Sequence, residues 1–144
     1  MNESLKYFGT DGIRGRYGDS IINEGFAYSL GVAFARYLEH KNYDKSQPVF
    51  LARDTRLSGK NLLLSCQAGL NDNHFITYNL DILPTPVLAF SVFNQNALGG
   101  IMVTASHNPH YDNGLKIISA EGGKLEPVDE YLIESFISEF TEHH

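Results

Sequence analysis

The residues with the most chemical potential in this sequence surround one serine. The stretch Thr104-Ala105-Ser106-His107-Asn108-Pro109-His110-Tyr111-Asp112-Asn113-Gly114-Leu115-Lys116 follows the uncharged run Gly99-Gly100-Ile101-Met102-Val103. A serine hydroxyl is a weak nucleophile and needs a base, a metal or a charged neighbour to activate it. His107 is adjacent to Ser106 in the chain, but neighbours in sequence need not converge in space. A hydrolase elbow requires glycine two places before and two places after its serine. Thr104 and Asn108 hold those places, so that reading fails. His107, His110 and Asp112 also read as a metal-ligand set, although a loop rich in His and Asp is more often solvated or hydrogen-bonded. A second polar stretch, Arg53-Asp54-Thr55-Arg56, follows the apolar run Pro48-Val49-Phe50-Leu51-Ala52. An Asp followed by Thr, Arg and Ser ahead of a helix fits turn and capping chemistry better than catalysis.

Both polar stretches need elements to hold them, and the rest of the chain supplies a strand and helix alternation. Asn23 is placed to cap a helix in which Phe26, Leu30, Phe34, Tyr37 and Leu38 recur on one face. Val49 to Ala52 and Ile101 to Val103 are short continuous apolar runs of the buried-strand type. Ser58 is placed to cap a second helix through Leu62, Leu63, Cys66 and Leu70. His74 to Leu80 reads as a strand, and Pro84-Thr85-Pro86 starts a short helix over Val87 to Phe93. Leu115 to Ile118 is a further strand, Gly122-Gly123 a turn, and Pro127 to Phe140 a final helix. Strands separated by helices predict a three-layer α/β/α domain around a largely parallel, mixed sheet. In such sheets ligands bind beyond the carboxyl ends of the strands, where Arg53-Asp54-Thr55-Arg56 and Ser106-His107-Asn108 both fall.

Composition narrows the function classes. At 144 residues the chain is long enough for one domain with a real core. A net charge of −6 argues against a nucleic-acid partner, which calls for a basic surface, while leaving room for a local cationic site that binds a small anion. No apolar run approaches the length of a membrane span, and no membrane partner is expected. Met1 to Lys6 lacks the pattern of a secretory leader. The single cysteine, Cys66, excludes an internal disulfide and fits a cytoplasmic location. Its place among Leu62, Leu63 and Leu70 makes it a core residue.

With these residues in view, the sequence resembles the α-D-phosphohexomutase superfamily. Thr104-Ala105-Ser106-His107-Asn108-Pro109, with Asp112-Asn113-Gly114 and Lys116, is similar to the phosphoserine loop of that family. Tyr7-Phe8-Gly9-Thr10-Asp11-Gly12-Ile13-Arg14-Gly15, Ala52-Arg53-Asp54-Thr55-Arg56-Leu57-Ser58-Gly59 and Leu83-Pro84-Thr85-Pro86 match three further motifs in the family's order. The form of the first motif and Tyr111-Asp112-Asn113-Gly114 look most like members acting on glucosamine phosphates, with glucose and mannose phosphates the near alternatives. His110 stands where an aromatic or proline is usual, and Ile117-Ile118 replaces a Phe-rich pair; both bear on the substrate rather than the reaction type.

The resemblance implies a phosphosugar mutase that works through a phosphoserine, at Ser106, and a bisphosphate intermediate. It implies Arg14 beside the phosphoserine, Lys116 as the acid or base for the sugar hydroxyl, and Thr10, His107 and Asn108 around the phosphate. It also implies one Mg²⁺, touched here only by the phosphoryl group on Ser106 and otherwise held by a second domain. Residues 1–141 would be the first of four domains and 142–144 the remnant of an affinity tag, leaving a fragment that does not turn over unaided. Its partners would be the phosphosugar and the remaining domains, with weak self-association through apolar surface on the final helix. Each role has a plainer rival. Ser106 could cap a loop, Arg14 could brace Asp11 or Asp54, Lys116 could be a solvated strand residue, and the whole domain could bind a phosphosugar without catalysis. Gly9, Gly12 and Gly15 read as turns, since their spacing is not that of a dinucleotide loop.

Overall fold

Two strands that carry no charge before their last residue make the centre of the sheet. In a computed structural model that describes residues 5–143, β2 (Val49–Arg53) and β4 (Gly99–Val103) pair in parallel, with Leu51 opposite Ile101 and Arg53 opposite Val103. β3 (Thr77–Ile82) adds in parallel outside β2, and β5 (Asp112–Ile118) pairs antiparallel with β4. β1 (Ile13–Arg16) closes the other edge antiparallel to β5, giving the order β1-β5-β4-β2-β3. β5 thus runs against the other four, which is the mixed character expected of the sheet.

Alternation along the strands divides two cores. Leu51, Ile101, Val103, Leu115 and Ile117 face α1 (Glu24–His40), α2 (Gly59–Asn71) and α4 (Pro127–His143). Phe50, Ala52, Met102 and Ile118 face α3 (Thr85–Asn94), which contributes Leu88 and Val92. The three-layer architecture follows.

The expected face of α1 is buried, and Asn23 Oδ1 caps the helix by accepting from Phe26 N at 2.8 Å. α1 and α2 touch backbone to backbone. A Cβ on Gly31 would sit 2.2 Å from the Cys66 carbonyl oxygen, and one on Gly69 2.4 Å from that of Tyr28. Both glycines lower helix propensity, and this approach is what they permit.

Several expectations are corrected. Ser58 does not cap α2; its backbone is helical, and its Oγ accepts from Asn113 Nδ2 at 2.8 Å. Gly15 lies in β1 rather than in a turn. β3 begins three residues later than expected, because His74 is left-handed (φ 69°). α3 begins two residues earlier, at Thr85, and α4 continues to His143. The apolar surface expected on the last helix is more extensive on α3, where Val87, Phe90 and Phe93 are exposed; α4 exposes Val128 and Tyr131 but buries Ile133 and Ile137. Met1 to Ser4 and His144, and with them part of the leader and tag readings, lie outside the described residues. Among the described residues no helix is long and apolar enough to cross a membrane.

The segment leading into β1 is tied down by one carboxylate. Glu134 of α4 is buried and accepts the backbone N–H of Lys6 (2.7 Å), Tyr7 (2.6 Å) and Phe8 (2.8 Å).

Candidate active site

β4 delivers the serine loop at its carboxyl end, directly beside the end of β2. Thr104 and Ala105 are still buried, and Ser106 is the first exposed residue. Ser106 has φ +50°, a left-handed conformation that a residue with a side chain seldom adopts. Its N–H donates to Thr104 Oγ1 (3.0 Å), and the Thr104 hydroxyl donates to Asp54 Oδ2 (2.7 Å). Asn108 N donates to the Ala105 carbonyl, closing the turn.

Arg14 reaches the loop from β1. Its partner in the β1–β5 ladder is Gly114, and a Cβ there would lie 3.0 Å from Arg14 Cγ, so the missing side chain leaves the arginine stem its path. Arg14 Nη2 donates to Ser106 Oγ at 3.2 Å and Nη1 to Asn108 Oδ1 at 3.4 Å. Its Nε is buried with no hydrogen-bond partner among the described residues. Arg14 pairs with neither Asp11 nor Asp54.

Arg56 reaches the same loop from the β2–α2 connection. Nε donates to Asp54 Oδ2 (3.1 Å), while Nη1 and Nη2 donate to the carbonyls of Pro109, Asp112, Ser106 and Asn108 at 2.6 to 3.1 Å. The capping chemistry expected of this segment is present as the Asp54 Oδ1 contact to Arg56 N, but the side chain does more, clamping a loop some fifty residues away. Nothing in local spacing announces that. Arg53 turns outward to an ion pair with Asp81 at 3.0 Å.

The structure brings Ser106, Arg14 and Asn108 together, and Ser106 and Asn108 line an open cavity of about 540 Å³ with Asp54, Arg56 and His110. The Asn108 amide is committed within the loop, its Nδ2 donating to Asp112 Oδ2 at 3.1 Å. His107 is exposed, and its side chain has no hydrogen-bond partner among the described residues. Lys116 and Thr10 fall in a second group. They line a small separate cavity with Gly12 and Lys124, and Lys116 makes no hydrogen bond to Ser106. Strand alternation still sets Lys116 on the face of β5 shared by Gly114 and therefore by the Arg14 stem.

The metal reading of the loop fails. Among the described residues no three His, Cys, Asp or Glu side chains converge to hold an ion. Asp54 and Asp112 already accept hydrogen bonds from Arg56, Thr104 and Asn108.

An exposed hydroxyl at the end of a parallel strand, faced by a guanidinium with donors to spare, has the chemistry to accept and steady an anionic group. The chain belongs to the family described as phosphoglucomutase/phosphomannomutase, alpha/beta/alpha domain I, whose model matches residues 5–144. Within that family it is similar to the phosphoglucosamine mutases of Xanthomonas euvesicatoria pv. vesicatoria (42% identical over 134 residues, 93% of this chain and 30% of that protein) and Xanthomonas campestris pv. campestris (43% over 132 residues, 92% and 29%). A crystal structure of a phosphoglucomutase/phosphomannomutase family protein from Burkholderia thailandensis superposes with a TM-score of 0.81 at 27% identity, over 96% of this chain and 31% of that one. The chain therefore spans about 30% of the length of the curated relatives it matches.

Proposed function

We propose that this chain is the phosphoryl-carrying domain of a mutase that interconverts glucosamine 6-phosphate and glucosamine 1-phosphate. The observation that carries the reading is the Ser106 hydroxyl, exposed at the end of β4 and met by Arg14 Nη2 at 3.2 Å. The names of the relatives at 42 and 43% identity support glucosamine phosphates as the substrate class. The name of the Burkholderia structure supports glucose or mannose phosphates as the second reading.

In the proposed reaction the sugar hydroxyl attacks the phosphorus of phosphorylated Ser106 in line. The new P–O bond forms as the P–Oγ bond breaks, and the hydroxyl proton passes to a base, for which Lys116 is the candidate on this chain. Transfer of the other phosphate of the resulting bisphosphate back to Oγ completes the isomerisation. Arg14 stabilises the equatorial oxygens during both transfers. Asn108 keeps Arg14 and the loop in register, His107 lies exposed beside Ser106, and Thr10 joins Lys116 in the neighbouring small cavity. Among the described residues no three carboxylate, imidazole or thiolate groups converge on an ion, so the ligands of a magnesium ion, apart from an oxygen of the phosphorylated Ser106, would belong to other domains.

Incubation with a hexose 1,6-bisphosphate, followed by intact mass and peptide mapping, tests the carrier role. One phosphoryl group is expected on Ser106 and none on Ser106→Ala; equal labelling of the two refutes it. For the substrate, kcat/KM of a four-domain form should be highest with glucosamine 6-phosphate among the glucosamine, glucose and mannose 6-phosphates, and another order refutes that choice.

A further inference from the structure

Two arginines approach the Ser106 loop, and their N–H groups divide the work between them. A guanidinium has five N–H donors and no acceptor. At Arg56 all five are engaged. Nε meets Asp54 Oδ2, Nη1 meets the carbonyls of Pro109 and Asp112, and Nη2 meets those of Ser106 and Asn108. The side chain is only 9% exposed. It has no donor left for an anion. Arg14 engages two donors, in the longer contacts to Ser106 Oγ and Asn108 Oδ1, and its Nε has no partner among the described residues.

We infer that Asp54 and Arg56 are positioning residues that lock Ser106 in its left-handed conformation, leaving Arg14 as the arginine that meets the phosphoryl group. Both peptide groups of Ser106 lead back to the Asp54 carboxylate, the N–H through the Thr104 hydroxyl and the carbonyl through Arg56 Nη2. A non-glycine residue at φ +50° persists only where its surroundings over-determine it. Released from these ties, Ser106 would return to negative φ, and Oγ would leave the line to Arg14. The inference rests on the reading of Ser106 as phosphoryl carrier. The planar fork is essential to it, because a lysine keeps the charge but offers three donors from one point.

The test compares wild type with Arg56→Lys, Arg14→Lys and Thr104→Val. In Arg56→Lys, amide hydrogen exchange at Ser106 and Asn108 should accelerate at least tenfold while amides of β2 and β4 keep their protection. With a hexose 1,6-bisphosphate, its maximal labelling rate should fall about 100-fold with less than a threefold change in the half-saturating concentration. Arg14→Lys should instead raise the half-saturating concentration. If Arg56→Lys fails to fold, Thr104→Val, which removes the acceptor for Ser106 N–H and its link to Asp54 while leaving Arg56 in place, should show the same exchange change and rate loss. Wild-type exchange in either folded variant, a wild-type labelling rate in Arg56→Lys, or half-saturation that rises as far as the rate falls overturns the inference. If the wild-type chain takes no label, the carrier role fails, while exchange at Ser106 still decides whether Arg56 and Asp54 hold the loop.

Discussion

Removing the Glu134 carboxylate should loosen the entry to β1, and the cost can be worked from its three contacts. Oε1 accepts from Tyr7 and Phe8, and Oε2 accepts from Lys6. Hydrogen bonds to a charged group contribute about 1.5–3 kcal/mol each when buried. Lys6 is exposed and Tyr7 half-buried, so their N–H groups can turn to water in a variant; Phe8 is buried and its N–H cannot. Glu134→Ala should therefore cost about 3 kcal/mol, most of it from the stranded Phe8 donor and the lost charge. Glu134→Gln can keep its carbonyl oxygen toward Tyr7 and Phe8, so it loses the Lys6 contact and the charge but strands no buried donor at Phe8, at about 1 kcal/mol. Urea unfolding followed by circular dichroism reads both values, with the slope unchanged. A Glu134→Ala variant within about 0.5 kcal/mol of wild type, or a glutamine as damaging as the alanine, refutes the reasoning. Because the tethered segment runs straight into Gly9 to Arg14, the alanine variant should also slow labelling of Ser106.

Two further predictions concern buried titratable groups. Burial pushes the Cys66 thiol up to about 12, so iodoacetamide at pH 8 should leave the native chain unmodified and alkylate it only in denaturant; native labelling at the rate of a free thiol refutes the packing. Burial, opposed by Lys124 and reinforced by the charge of Glu134, raises the Glu130 carboxyl above its ordinary value. An acid raised in the folded state binds protons more tightly there, so it weakens the fold once ionised and this penalty disappears as the pH drops through the raised value toward 4.5. Glu130→Gln should melt higher than wild type at pH 7, with the gap closing as the pH approaches that range; a gap that stays constant with pH contradicts the assignment.

Local patterns made much of the scaffold legible. The face of Phe26, Leu30, Phe34, Tyr37 and Leu38 and the cap at Asn23 announce α1, and the uncharged runs announce β2 and β4. β1 was not legible. Ile13-Arg14-Gly15-Arg16 has one apolar residue, and it is a strand because β5 lies ready to pair with it. Ser58 illustrates the same limit. It has the right type and place for a cap, yet a partner 55 residues away in Asn113 claims its hydroxyl. At the site, the pairing of Ser106 with Arg14 is legible through motif order. Arg56 looks local in sequence because its Asp54 contact is local, whereas its clamp on the serine loop exists only after β2 and β4 are side by side. Lys116 and Ser106 share a motif but occupy separate cavities, since motif spacing follows β5 while the intervening loop folds back on itself.

The glycine contact between α1 and α2 reaches further than the core. α1 descends from the strand that bears Arg14, and α2 from the turn that bears Arg56. Whatever sets the spacing of the two helices therefore sets how far apart these turns stand at the rim. With no side chain between them at Gly31 and Gly69, that spacing is fixed by main-chain atoms, which cannot change rotamer to absorb a disturbance. One methyl group added at Gly31, about halfway along α1, would act as a wedge and be felt at the Ser106 loop through the splay of its two supports.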